Sequence, residues 1–399
     1  VINFTDNVTY TINLTFTNNC GTQSTSQTIT FLSAVTANVG VNPKSITVCY
    51  NENTLQLNGT ASGGYSSVLW ASNRNGTFSN NAILNPIYTF GSTDKLNLTT
   101  RLILTVTPNN NACQPVTDTL NITIRPQNTV TSSSTKSICS GSNVSYTPIA
   151  SQTGSTFSWT SSTVLGIVTG LSASGTGNIN DVLTNSSNSS DATVKYNIVA
   201  IKDGCNGDAF ELTVTIKPKP VLTATPSSTI ICSGQGLTVN LSSTASSATY
   251  TWSSTANGNI SGNTNQITAT SNSSFTHNLS TTSTTDITLT YTINSTSNSC
   301  AADAKTVTIT VKPGVSTSNA GTDQKLCNAT TATLAGNSPT VGTGTWTQVG
   351  TPTVTIANSS LNNTSISGLS GNNTYRFVWT IAGTGSCPNS TDTVEIINR

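Results

Sequence analysis

The stretch ATVKYNIVAIKDGCNGDAFELTVTIKP, Ala192–Pro218, decides how this chain is read. Val194, Tyr196 and Ile198 fall on alternate positions and so share one face of a strand, and Leu212, Val214 and Ile216 do the same beyond KDGCNG. KDGCNG has the composition of a turn. Pro218, which has no N–H to give to a ladder, ends the returning strand. The prediction is a β-hairpin with one face on a core.

The end of this hairpin recurs along the chain. NITIRP (Arg125, Pro126), TVTIKP (Lys217, Pro218) and TITVKP (Lys312, Pro313) each close a strand with a basic residue and a proline. Every basic residue lies twelve positions after a cysteine: Cys113 to Arg125, Cys205 to Lys217, Cys300 to Lys312, and likewise Cys387 to Arg399. A second cysteine series, Cys49, Cys139, Cys232 and Cys327, steps by 90, 93 and 95 residues. About twenty residues after each of these stands a tryptophan in a strand-like context: Trp70, Trp159, Trp252 and Trp346. Self-similarity at this period marks an array of repeats. The expected division is 1–35 as the C-terminal part of a truncated repeat, followed by repeats at 36–126, 127–217, 218–312 and 313–399. VINFTDNVTYTINLTF at the start reads as strands already under way, as expected of a slice from something longer.

Short alternating segments between Gly, Asn, Ser and Pro clusters, with no helical periodicity, predict an all-β chain. The expected architecture is a tandem array of antiparallel β-sandwiches, roughly seven or eight strands each. A proline after each last strand stiffens the junction, so the array should form an elongated rod. At about 3.3 Å per strand residue each sandwich is roughly 35 Å long, and the rod on the order of 150 Å. Only 7% of the 399 residues are charged and the net charge is +1, which leaves no electrostatic footprint for nucleic acid or an anionic membrane. No apolar run is long enough for a transmembrane helix.

In the last repeat Tyr375, Phe377 and Trp379 share one face of TYRFVWTIAG. Counted back from Cys387 they stand one residue out of phase with Tyr196 and Tyr291 counted from their own cysteines. Either the turn in AGTGSC is one residue longer, or the strand shows an aromatic platform to a ligand.

The expected use of the cysteines is one disulfide per repeat: 49–113, 139–205, 232–300 and 327–387, with the partner of Cys20 outside this chain. A bond closing a loop of about 65 residues stabilises by about 4 kcal/mol through loop-closure entropy, and it implies an oxidising compartment. The rival pairing staples neighbouring repeats, for instance Cys49 to Cys205, and leaves Cys113 unpaired as well as Cys20. Close C-x₂₋₄-C spacings, as metal ligation would need, are absent. A cysteine nucleophile needs a histidine, and His277, the single one, reads as a solvated strand or loop position. Asp203 and Asp208 flank one turn, and Asp181 and Asp191 flank a Ser/Asn-rich loop. They could join a surface calcium site, but lone acids in turns usually accept backbone N–H bonds. Gly342 and Gly344 in VGTGTW are read as turn residues feeding a strand. No catalytic motif, cofactor site or metal site is expected.

The segments ICSGSNVSYTP, TFSWT, GTGNINDVLTNSS, ATVKYNIVAIKDGC and LTVTIKPKP resemble the PKD-like and Ig-like repeats stacked in large surface proteins of Bacteroidota. The last repeat, from NAGTDQKLCNATTATLAGNSPTVGTGTWTQVG to STDTVEI, is similar to repeats of giant flavobacterial gliding-motility adhesins of the SprB type. PKD domains proper carry W-D-F-G-D-G after the tryptophan, whereas Trp159 is followed by TSSTVLG. The resemblance implies export by the type IX secretion system through a C-terminal signal beyond this slice, display outside the outer membrane, and movement along the cell by the gliding motor. It also implies O-glycosylation at Asp-(Ser/Thr)-apolar motifs, which makes Thr119 in DTL and Thr393 in DTV candidates.

The leading expectation is therefore a non-catalytic filament segment that reaches and attaches. Its partners would be external surfaces or glycans, and gliding or secretion machinery through regions outside this chain. The alternatives are a carbohydrate-binding array, in which Trp379 stacks on sugar, and the stalk of a secreted hydrolase.

Overall fold

In a computed structural model, which describes residues 3–6 and 8–399, the chain is a tandem array of β-sandwiches, 56% strand and 2% helix. Val1, Ile2 and Asn7, part of the predicted opening strand, lie outside the described residues. The buried side chains form four separate clusters, running from Val39 to Ile124, Val130 to Ile216, Leu222 to Val311 and Ala320 to Ile396. A helix at Ser92–Asn97 belongs to the first of these units.

The hairpin of Ala192–Pro218 forms as its alternation requires. Strands Ala192–Lys202 and Cys205–Lys217 pair antiparallel with Tyr196 opposite Leu212 and Val194 opposite Val214, and all four side chains are buried. The turn is tighter than KDGCNG suggested, because Lys202 pairs with Cys205 and only Asp203 and Gly204 are left between them. Both have positive φ, 49° and 81°, the two-residue geometry whose twist matches the flanking strands.

Each unit sets this hairpin between two further strands. On one side lies the tryptophan strand, Tyr65–Ser72, Thr156–Leu165, Thr249–Ala256 or Thr343–Val349. On the other a short strand near the start of the unit runs parallel to the last: Ser45–Val48, Thr135–Cys139, Ile230–Cys232 or Gln324–Leu326. Each otherwise antiparallel sandwich thus carries one parallel pair. A second, smaller sheet covers the core face, for example Ser142–Asn143, Val182–Asn185 and Val168–Thr169 in the second unit.

The hairpin Val8–Asn18 and Gly21–Phe31 also turns through two residues, Asn19 and Cys20. Ile12, Leu14 and Phe16 occupy one face and are exposed, while the corresponding face of the other four hairpins lines a core.

Tyr375, Phe377 and Trp379 are at most 1% exposed, so they face the fourth core and not a ligand. Phe377 pairs with Val394, seven residues after Cys387, just as Tyr196 pairs with Leu212 and Tyr291 with Val307, seven after Cys205 and Cys300. The phase shift is therefore absorbed by one extra residue in the turn, and the aromatic platform is overturned.

Gly342 has φ 97° and is a turn residue as expected, but Gly344 is not: it lies inside the strand Thr343–Val349. A Cβ on Gly344 would stand 2.0 Å from Cζ2 of Trp379, so its bare backbone makes room for the indole. Gly175 does the same for Trp159 at 2.3 Å.

Candidate functional site

The geometry that recurs from unit to unit is concentrated at the junctions. The parallel pair places each first-series cysteine at the end of a unit. Cys139 pairs with Lys217 and Cys232 with Lys312, while Cys49 follows Val48, the partner of Ile124. In the second unit Cys205 begins the last strand, twelve residues and about 40 Å from its end at 3.3 Å per residue, and Cys113, Cys300 and Cys387 keep the same interval. A disulfide spans Cα atoms only about 4.4–6.8 Å apart. Intra-repeat pairing is therefore geometrically closed, and the expected bonds 49–113, 139–205, 232–300 and 327–387 are corrected. The bonds are Cys49–Cys205, Cys139–Cys300 and Cys232–Cys387, with Cα separations of 5.4, 5.6 and 5.6 Å. Each ties the end of one unit to the hairpin turn of the next. Cys20, Cys113 and Cys327 are free and exposed.

At the first two junctions the basic residue reaches the same hairpin turn. Arg125 Nη1 stands 2.6 Å from Asp203 Oδ2, and Lys217 Nζ donates to the Asn298 carbonyl at 3.1 Å. Asp203 and Asn298 each precede their cysteine by two residues; at the third junction that position is Gly385, which offers Lys312 no polar side chain. One step further, Gln127 donates to Asp208, and Lys219 Nζ stands 2.7 Å from Asp303 Oδ1. Asp208 and Asp303 each follow their cysteine by three residues. Asn51 adds a bond to the Asn206 carbonyl at 3.1 Å. These ion pairs are solvent-exposed, so each contributes about 0.2–1 kcal/mol, and they set orientation more than stability. A cleft of about 100 Å³ remains at the first junction, lined by Tyr50, Arg125, Gln152, Lys202 and Asn206 among others.

The two ICSG motifs are built for this place. In Ile138–Gly141, Ser140 N–H donates to the Lys217 carbonyl at 2.9 Å, and its hydroxyl accepts the Asn185 N–H at 2.9 Å. In Ile231–Gly234, Ser233 makes the equivalent bonds to Lys312 and Thr281. The serine thereby ties the sheet end to the facing sheet. Gly141 and Gly234 take φ of 83° and 88°, which only glycine adopts without strain.

The acids proposed for calcium do not converge. Asp203 and Asp208 serve the junction, as above. Asp181 accepts from Tyr196 Oη and Ser172 Oγ, both at 2.7 Å, and Asp191 is not brought to it. Among the described residues no group of three His, Cys, Asp or Glu is placed to hold a metal ion. Burial, with the neighbouring Asp181 carboxylate, pushes the Tyr196 hydroxyl pKa well up.

His277 is not solvated: it is buried in the third core. Its Nδ1 lies 2.6 Å from Tyr291 Oη and its Nε2 2.9 Å from Thr264 Oγ1, and burial lowers its pKa. The alternation Phe275, His277, Leu279 is the sequence signal that places it inside.

In DTL and DTV the aspartates hold incoming backbone. Asp118 accepts the Val39 N–H at 3.0 Å and the Lys44 ammonium at 2.5 Å, and Asp392 accepts the Ala320 N–H at 2.7 Å. Burial works to raise the Asp118 pKa, but these bonds outweigh it and hold the carboxyl below its usual range. Thr393 is exposed and Thr119 half-buried.

Residues 136–220 and 229–315 match a PKD-like domain. The chain is thus a repeat protein with PKD-like units at its centre. No curated protein sequence matches it. Among solved structures, the N-terminal eight Ig domains of Down syndrome cell adhesion molecule align with 98% of this chain and 52% of that one, at 12% identity and a TM-score of 0.35. The chain spans about half the length of that structure. The protocadherin gammaB4 extracellular domain aligns over 97% and 71%, at 13% identity and 0.31. An I-band fragment from titin aligns over 69% and 99%, at 11% identity and 0.38. No helix among the described residues is long and apolar enough to cross a membrane.

Proposed function

We propose that this chain is a non-catalytic, adhesive segment of a large extracellular filament, of the kind that Bacteroidota display outside the outer membrane for surface attachment and gliding motility. The observation that carries this reading is the junction repeated unit after unit, in which sandwiches, two of them PKD-like, are fixed to their neighbours by disulfides. Such bonds need an oxidising compartment and serve reach, not chemistry. The unit limits that fit are 36–126, 127–217, 218–312 and 313–399, one core to each. Free Cys20, Cys113 and Cys327 stand at the positions in the repeat that the bonded cysteines occupy, in keeping with a longer array exported by the type IX route. External surfaces or glycans are the partners of this reading.

The test is a fluorescent label against these repeats on intact, moving cells. Signal on the cell surface that travels along the cell is expected. Stationary, secreted or absent signal would sink the motile-adhesin reading.

A further inference from the structure

We propose that the three disulfides make this chain a tension strap, whose extension under pull is capped covalently and does not depend on the folding of its sandwiches. The bonds overlap: Cys49–Cys205 encloses Cys139, Cys139–Cys300 encloses Cys205 and Cys232, and Cys232–Cys387 encloses Cys300. A pull applied at the two ends follows the shortest covalent route. That route runs from Val1 to Cys49, crosses to Cys205, follows the chain to Cys232, crosses to Cys387 and ends at Arg399. It contains about 90 residues, and at roughly 3.3–3.6 Å per residue it can reach only roughly 300 Å. Without the bonds the 399 residues could reach roughly 1,400 Å.

The topology also chooses which elements bear load. The segment from Cys205 to Cys232 holds the last strand of the second unit, the Pro218 linker and the first two strands of the third, Leu222–Pro226 and Ile230–Cys232. Residues 50–204 and 233–386, with the tryptophan strands and most of the cores, lie off the route. A sandwich that melts under load therefore stays looped beside its neighbours, ready to refold. Pairing within repeats would have put every junction in series. This property belongs to the chain itself and holds whether or not the filament is a gliding adhesin.

Single-molecule pulling on the whole oxidised chain, held at its two ends, tests the inference. The expected limit is roughly 300 Å, with a stepwise gain when a dithiol reductant is added to the same molecule under load. The pair variants then separate topology from stability. Cys139→Ser with Cys300→Ser leaves the shortest route unchanged, so the limit should stay at roughly 300 Å. Cys232→Ser with Cys387→Ser forces a route of about 210 residues and should raise it to roughly 700 Å. An oxidised chain that stretches far beyond this limit overturns the proposal, and so does an equal change in the two variants. The reductant step on the unmodified chain decides between these outcomes even if a variant folds poorly.

Discussion

At the level of single residues, the structure moves His277 from surface to core and Gly344 from turn to strand, and both moves are measurable. His277 loses water on folding and its pKa falls below the usual 6.5, so the unfolded state binds the proton more tightly than the folded state. The stabilising effect of the neutral imidazole is complete above pH 6.5 and is lost as the pH drops through that value, at up to about 1.4 kcal/mol per pH unit until the folded form also protonates. Urea melts of the third unit should therefore weaken between pH 7 and pH 5, above the range of ordinary carboxylates, and His277→Gln should flatten that slope. Gly344→Ala makes a different point. The added methyl would overlap the Trp379 ring inside a packed core, and overpacking of this kind costs about 1–3 kcal/mol. Tryptophan fluorescence should report an earlier denaturation midpoint for the fourth unit, with no change in glycan retention. Sequence reasoning misplaces His277 because one polar residue outweighs the alternation around it, and Gly344 because a strand glycine beside an indole has the same letters as a turn.

At the level of elements, the hairpins are legible, since period-two alternation and the Asp-Gly turn are local signals. What stays hidden is the parallel pairing of a short early strand with the last, a contact between segments some eighty residues apart with no sequence signature of its own. The cysteine bonds are hidden with it. Yet the twelve-residue interval already contains the answer once read as a length, because a strand that long carries its two ends to opposite poles of a sandwich. Proteolysis without reduction should release peptides joined through Cys49–Cys205, Cys139–Cys300 and Cys232–Cys387, each collapsing to two masses on reduction. Peptides joining Cys139 to Cys205 would contradict the parallel pair as well as the bonds.

At the level of the whole molecule, the three junctions share a plan but not a strength. The first carries Arg125–Asp203, Gln127 with Asp208, and Asn51 with Asn206. The second carries Lys217 with the Asn298 carbonyl and a bond from Thr244 to the Asn188 carbonyl, while Lys219–Asp303 lies beside it within the third unit. At the third, Gly385 stands at the position of Asp203 and Asn298, and Lys312 turns back to Asp286 of its own unit at 3.5 Å. Among the described residues no ion pair crosses that junction, so Cys232–Cys387 holds it with the least help. Removing a crosslink where polar contacts persist leaves orientation partly fixed; removing it where none persist leaves a linker, and relative motion of domains becomes the default. Small-angle scattering should accordingly show a larger loss of maximum dimension and a broader distance distribution for Cys232→Ser with Cys387→Ser than for Cys49→Ser with Cys205→Ser. Placing an acid at the bare position, Gly385→Asp, tests the cause: with Lys312 within reach it should narrow the distribution of the uncrosslinked rod, and high salt should reverse the gain.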